Sequence, residues 1–320
     1  MTDTRHRTIQ TNGISMHIAE AGTGPAVVLC HGWPELWYSW RHQIPALAEA
    51  GYHVIAPDMR GYGGTDAPAD PKAYRASMQC ADMAGLLDAL GLEKAVFVGH
   101  DWGGSVIWNM GVLRADRVRA LVGLNTPHFG GPASPVPTTQ IIAQTLGGGA
   151  EHWYMLYFQE PGIAEAELEA DIPRSFRRIM KGYRNADEFW TFATVGGDGS
   201  GVIEKLSDEG CILTESELKV FVDEFTRTGF RGGLNWYRAM DHSWEESRQL
   251  PPEQSILHLP AMMVTAADDA ILKPAFAAGM PALIPGIRME QIENCAHWTQ
   301  QERPEEVNRL LLDFLGKLPA

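Results

Sequence analysis

The sequence predicts an α/β fold, a mostly parallel sheet flanked by helices, with a helical lid inserted before the last strands. Three observations predict it. Short apolar runs alternate with longer helical patterns from about residue 8 to residue 127, the alternation then lapses for more than 130 residues, and it resumes near residue 261. A connection of that length is not a plain crossover and has to carry structure of its own.

The runs at 26–30, 54–56, 95–98 and 120–124 are apolar almost without interruption, as strands buried on both faces are. Between them, residues 40–50 read as a helix stopped by Gly51. Ser77 is the candidate cap of a second helix, which runs through Cys80, Met83, Ala84, Leu87 and Leu90 to Gly91. Repeated strand, helix, strand units imply right-handed crossovers and helices on both faces of one sheet. Past Pro127 the content turns helical. Thr214-x-x-Glu217 is a capping box, followed by Leu218, Phe221, Val222 and Phe225 on one face and Gly229 as a stop. Residues 134–246 are therefore expected to form a lid (cap) domain on a core made of 1–133 and 247–320. Stretches rich in Gly and Pro, at 130–137 and at Pro251-Pro252, bracket it. The core resumes with strands at 261–265 and 288–292 and ends in an amphipathic helix carrying Val307, Leu310, Leu311 and Phe314.

Composition narrows the partners. The 320 residues carry a net charge of −14, which disfavours nucleic acid and anionic membranes, since phosphate binding needs a basic footprint. With 45% hydrophobic and 21% charged residues the chain can bury a large core, so general disorder is excluded. Residues 1–12 are polar and lack a signal-peptide core, and no run approaches the roughly 18 apolar residues of a membrane span. A cytoplasmic location is expected. Cys30, Cys80, Cys211 and Cys295 are widely separated, which suits reduced thiols better than a zinc site or a disulfide framework.

The chemistry is concentrated in Gly99-His100-Asp101-Trp102-Gly103-Gly104, where a strand runs into a helix. Glycines two before and two after the central residue let the chain turn sharply and hold that residue at the strand tip, the nucleophile-elbow geometry. Here the elbow residue is Asp101; no Gly-x-Ser-x-Gly occurs. On this segment alone, a turn aspartate capping the helix is the other reading. A carboxylate that attacks an sp³ carbon forms an ester, which activated water can cleave, whereas serine would form a stable ether. The electrophile is then an epoxide or a haloalkane carbon. Attack on phosphorus would need an acidic metal cluster that the sequence lacks, and no metal or cofactor is expected.

Ester turnover needs a base and a group to orient it. His297 follows the last strand and Asp269 the one before, giving the order nucleophile, acid, histidine; Asp268 is the adjacent substitute. The oxyanion calls for backbone N–H donors, expected from Trp102 after the nucleophile and from Trp33 in His31-Gly32-Trp33-Pro34-Glu35 after the first buried strand.

With these residues placed, the chain resembles the epoxide hydrolases of the α/β-hydrolase fold, and closely the hydrolase domain of the soluble ones. The likeness rests on the two segments just quoted and on Gly61-Tyr62-Gly63-Gly64-Thr65, Tyr154-Met155-Leu156-Tyr157-Phe158-Gln159-Glu160-Pro161-Gly162, Gly229-Phe230-Arg231-Gly232-Gly233-Leu234-Asn235-Trp236-Tyr237-Arg238 and Cys295-Ala296-His297-Trp298-Thr299-Gln300. It implies that Asp101 opens the epoxide, that Tyr154 and Tyr237 donate hydrogen bonds to its oxygen, and that His297 with Asp269 activates water. The length leaves no room for the separate phosphatase domain of the mammalian enzymes, so no phosphatase activity is expected. Trp33 stands where many relatives carry Phe, and a second indole beside Trp102 keeps haloalkane dehalogenation as the alternative; those enzymes usually carry Asn there and need no lid phenols. A non-catalytic ligand sensor, the reading from another class, need not retain nucleophile, base, acid and electrophile together. Phe158, Phe189, Trp190 and Phe192, with Trp33 and Trp102, suggest a pocket for a small apolar epoxide, water being the second substrate. Oligomeric state leaves no signal in the sequence.

Overall fold

A computed structural model of the chain describes residues 4–130, 134–145, 153–184, 186–194 and 201–319. Eight strands form one sheet in the order β1-β2-β4-β3-β5-β6-β7-β8. They are β1 (Arg5–Thr11), β2 (Ile14–Ala21), β3 (Ala26–Cys30), β4 (His53–Pro57), β5 (Ala95–His100), β6 (Val118–Leu124), β7 (Ala261–Ala266) and β8 (Arg288–Ile292). From β4 to β8 the pairings are parallel, while β1 and β2 form an antiparallel hairpin that pairs with β4. The predicted fold class is thus the observed one. The hairpin was not expected: β1 is mostly exposed and polar, and its turn, Asn12-Gly13, with φ of 43° and 76°, is the main signal it leaves.

The sheet separates two apolar layers because successive strand residues point to opposite faces. Val27, Leu29, Val96 and Val98 pack against α1 (Gln43–Glu49) and the last helix, through Ile44, Leu47, Val307, Leu311 and Phe314. Val28, Cys30, Phe97 and Leu121 face α2 (Ala76–Ala89) and α3 (Trp102–Leu113), through Met83, Leu87, Val106 and Ile107. The expected helix 40–50 is split, with a 3₁₀ turn Trp37–Trp40 preceding α1.

Between β6 and β7 the chain forms α4 (Thr138–Thr145), α5 (Tyr154–Tyr157), α6 (Ile163–Ala170), α7 (Ile172–Ile179), α8 (Ala186–Ala193), α9 (Glu215–Thr228), α10 (Arg231–Arg238) and α11 (Met240–Ser247). After β7 come α12 (Met280–Leu283), α13 (Thr299–Glu302) and α14 (Pro304–Leu315). Of the Gly- and Pro-rich stretch 130–137, residues 131–133 lie outside the described residues. The capping box at the start of α9 forms as read, with Glu217 N–H on Thr214 Oγ1 (3.4 Å) and Thr214 N–H on the Glu217 carboxylate (2.9 Å). Ser77 is a correction. It lies inside α2, whose N-cap position is Arg75, and the free N–H groups there are satisfied from α11: Ser77 N–H donates to Glu246 (3.1 Å) and Ala76 N–H to Ser243 Oγ (3.0 Å). Among the described residues no helix is long and apolar enough to cross a membrane.

A close backbone contact also ties the inserted helices to the core. A Cβ on Gly232, in α10, would lie 2.0 Å from the carbonyl oxygen of Gly61, so backbone meets backbone there. The Trp236 indole N–H donates to the Arg60 carbonyl at 2.9 Å, and Arg60 is itself paired with buried Asp82. Gly232→Ala should therefore displace α10 and lower stability by about 1–3 kcal/mol, whereas Gly279→Ala, where a Cβ meets nothing within 4 Å, should stay within about 0.5 kcal/mol of the parent. Urea unfolding of both variants checks this; equal midpoints would contradict it.

Candidate active site

The strand order reverses at β3, whose neighbours β4 and β5 both follow it in sequence, so a crevice opens at the carboxyl ends of β3 and β5. Asp101 follows β5 there, at the start of α3. Its φ of 51° and ψ of −123° are unusual for a residue with a side chain, a strain of order 1–3 kcal/mol that the surroundings must hold. The glycines around it allow the turn: a Cβ on Gly99 would lie 2.2 Å from Gly103 O, and one on Gly103 2.0 Å from Cys30 O. Thr126 Oγ1 donates to the Asp101 carbonyl at 2.8 Å. Trp102, next in the chain, opens α3.

Across the crevice, the loop after β3 brings the Trp33 N–H to Asp101 Oδ1 at 2.8 Å. That loop is held from below. Met59 N–H donates to His31 Nε2 (3.0 Å), so the His31 proton sits on Nδ1 and bonds Gly32 O (2.9 Å). Glu35, fully buried, accepts from Gly32 N–H (2.9 Å), Gln300 (2.8 Å) and His100 Nδ1 (2.9 Å). Burial alone would raise its carboxyl, but His100 and the other partners hold it down at about 2. His100 Nε2 donates in turn to the His297 carbonyl at 2.7 Å, which links the loop after β3, the turn after β5 and the loop that carries His297. Glu35 and His100 were in the quoted motifs without a role. The available signal was a histidine inside an apolar strand, since a polar group buried there needs a partner.

His297 lies with Nδ1 at 3.1 Å from Asp269 Oδ2 and Nε2 at 3.8 Å from Asp101 Oδ2. Asp269 is equally well held: Oδ1 accepts the N–H groups of Ile271 (2.8 Å) and Leu272 (2.9 Å), and Oδ2 also accepts from Asn125 (2.6 Å). Burial raises the Asp269 carboxyl, yet His297 and these donors bring it below the usual carboxylate range. Asp268 points away to an ion pair with Arg184 at 3.3 Å. Asn125, just past β6, thus braces the Asp269 carboxylate.

A cavity lies over Asp101, walled by Trp33, Tyr154, Tyr237, Phe192, Ile271 and His297 among others. The space open to the centre of a water molecule is about 20 Å³, enough for water and too little for an aryl epoxide without movement of the walls. Tyr154 and Tyr237, from α5 and α10, stand with ring centroids 5.9 Å apart. Burial, reinforced by the charge of Asp101, raises both phenols above their ordinary range, so they remain proton donors. Phe158 and Trp102 form a second row: Phe158 packs on Trp33 (5.2 Å) and Tyr237 (5.1 Å), and Trp102 meets Tyr237 edge to face at 5.1 Å. Tyr183 also reaches the cavity wall, but its hydroxyl donates to Arg178 O at 3.2 Å.

Burial lowers the basicity of His297, but Asp269, Asp101 and Glu35 outweigh it and raise the ring to about 9. The sign follows. An unfolded histidine titrates near 6.5, so the stabilisation is fully present below about pH 6.5 and is lost as pH rises through about 9, a loss of order a few kcal/mol. Between about pH 6 and pH 10, urea unfolding should show the parent losing more stability than His297→Asn; parallel profiles would contradict the raised value.

The chain is similar to several known proteins. A family model described as the alpha/beta hydrolase fold matches residues 25–304. Epoxide hydrolase A of Mycobacterium tuberculosis is 44% identical over 319 residues, covering 98% of this chain and 97% of that one. Bifunctional epoxide hydrolase 2 of Sus scrofa is 42% identical over 95% of this chain, which spans about half (53%) of its length. Among solved structures, epoxide hydrolase A from Mycobacterium thermoresistibile superposes with a TM-score of 0.91 at 43% identity, covering 99% of both chains. A carboxylate at the elbow, a histidine and acid behind it, and relatives of this identity over nearly the whole length lead to one conclusion: the chain belongs to the epoxide hydrolases of the α/β-hydrolase family.

Proposed function

We propose that the protein converts small apolar epoxides to vicinal diols through an ester on Asp101. The observation that carries this is the arrangement of Asp101 below two protonated phenols and beside His297 in one cavity. The carboxylate of Asp101 attacks an epoxide carbon and the C–O bond breaks. Its electron pair stays on the oxygen, which takes a proton from Tyr154 or Tyr237. An alkoxide is a poor leaving group, and a positioned acid contributes about 10²- to 10⁴-fold. Halide would need no such acid, which favours an epoxide over a haloalkane.

In the second step His297 takes a proton from water, whose oxygen attacks the Asp101 ester carbon. The oxyanion forms where the Trp33 N–H already meets Oδ1, with the Trp102 N–H as the second donor, and collapse releases the diol. The raised basicity of His297 gives the order of events a physical basis. In the resting site Asp101 helps to keep the ring protonated; once Asp101 is an ester that charge is gone, the ring's proton passes to the phenolate left by epoxide opening, and the neutral ring can act as the base. Residues 134–246 serve as the lid, supplying both phenols and the apolar wall of Ile179 and Phe192. We assign the protein to the cytoplasm, where four free thiols suit the reducing conditions.

In a single turnover with excess enzyme in ¹⁸O-water, the first diol should carry an unlabelled oxygen from Asp101; full solvent label would overturn the covalent route. His297→Gln should become alkylated and stay so, seen as a persistent mass increase of one substrate, and Asp269→Asn should show a milder form of the same trapping. Tyr154→Phe and Tyr237→Phe should each slow alkylation, and the double variant should be close to inactive while ester hydrolysis is largely spared. Stopped-flow tryptophan fluorescence separates the two phases. Alkylation of the double variant at the parental rate would count against an epoxide substrate.

A further inference from the structure

Tyr154 and Tyr237 can serve one substrate oxygen only if the distance between two separate helices is fixed. α5, which carries Tyr154, is a single turn, and one turn does not sustain itself in water. Its position is therefore set by what it is tied to. The tie is Arg238, the residue after Tyr237 in α10, whose side chain is only 4% exposed. Every N–H of its guanidinium has an acceptor. Nε donates to Phe158 O (2.9 Å), Nη1 to Glu165 Oε1 (2.7 Å) and Asn235 Oδ1 (3.1 Å), and Nη2 to Glu165 Oε2 (3.0 Å) and Glu160 O (3.4 Å). Phe158 closes the Tyr154 turn, its N–H bonding Tyr154 O at 2.9 Å. Gln159 adds a second strap, with Nε2 donating to Met155 O (2.8 Å) in one segment and Tyr237 O (3.1 Å) in the other.

We propose that Arg238, with Glu165 as its counter-charge, is a positioning residue that sets the spacing of the Tyr154 and Tyr237 phenols so that both donate to one substrate oxygen. It acts through the two tyrosines and forms no part of the cavity wall. The task needs a planar fork with donors in several directions; an ammonium group, with three donors on one atom, cannot reach two carbonyls, a carboxylate and an amide together. Hydrogen bonds weaken steeply with angle, and a displacement of about 1 Å in a reacting group can cost around 10²-fold. The inference rests on the reading of the two phenols as proton donors.

The test is stopped-flow measurement of alkylation and ester hydrolysis, with an aryl epoxide, for the full chain and the variants R238K, Y154F, Y237F and R238K/Y154F. R238K should slow alkylation by about 10- to 100-fold and leave ester hydrolysis within about twofold. In the Y154F background the same change should cost less than about threefold, because no spacing between two donors is left to set. Alkylation by R238K at the parental rate, or an equal loss in both backgrounds, would overturn the proposal. Slow Phe variants beside a normal R238K would overturn it alone, whereas parental rates in both Phe variants would overturn the reading of the phenols and this proposal with it. Should R238K fail to fold by circular dichroism, E165Q, which keeps one oxygen for the guanidinium, carries the same expectations and the same overturning results.

Discussion

The His297 ring, lying between Asp269 and Asp101, has to reconcile two demands on one small volume. A nucleophilic carboxylate must stay reactive, and so must be sparingly solvated, yet a buried anion with no counter-charge is strongly disfavoured. On the proposed mechanism, the imidazole supplies that charge while Asp101 is free and gives it up once Asp101 is esterified. Glu35 and His100, buried behind it, form a second hydrogen-bonded carboxylate–imidazole pair one layer down. Because His100 also holds the His297 carbonyl, the two pairs are mechanically joined.

The fold is arranged to keep this charged cluster at a single place. The reversal of strand order around β3 opens the only kind of crevice an open parallel sheet provides by topology. Close backbone approaches at Gly99 and Gly103 then let α3 start directly against β3, which pins the strained Asp101 from two sides. Strain at one residue is tolerable when the surrounding packing determines it so fully.

The elements legible in the sequence are those whose physics is local. The runs in β3, β5, β6 and β7 are buried on both faces and therefore apolar throughout, and the elbow carries its glycines in plain order. The β1–β2 hairpin was illegible because β1 is exposed for most of its length and shows little alternation. Ser77 misled because a good cap residue near a helix start normally is the cap; here the acceptor comes from Glu246, far along the chain. Asp101, Asp269 and His297 could be picked from strand ends and chain order. Asn125 could not, since an amide bracing a carboxylate looks, in sequence, like an ordinary turn residue. Tyr154 and Tyr237 lay in between, identifiable from a family motif and from nothing in the periodicity of their helices.

The contact of Glu246 with Ser77 also bears on how such enzymes can be recombined. A segment inserted between two strands invites exchange as a cassette, with new substrate walls brought in on an unchanged sheet. Here the cassette's last helix satisfies the opening N–H groups of α2, a helix of the sheet layer, through Glu246 and Ser243. A graft that replaced residues 134–246 with a foreign segment lacking those two acceptors would leave the host helix uncapped, a penalty of about 0.5–2 kcal/mol per lost cap. Recombination of these chains is thus governed by a boundary condition well away from the pocket it is meant to change.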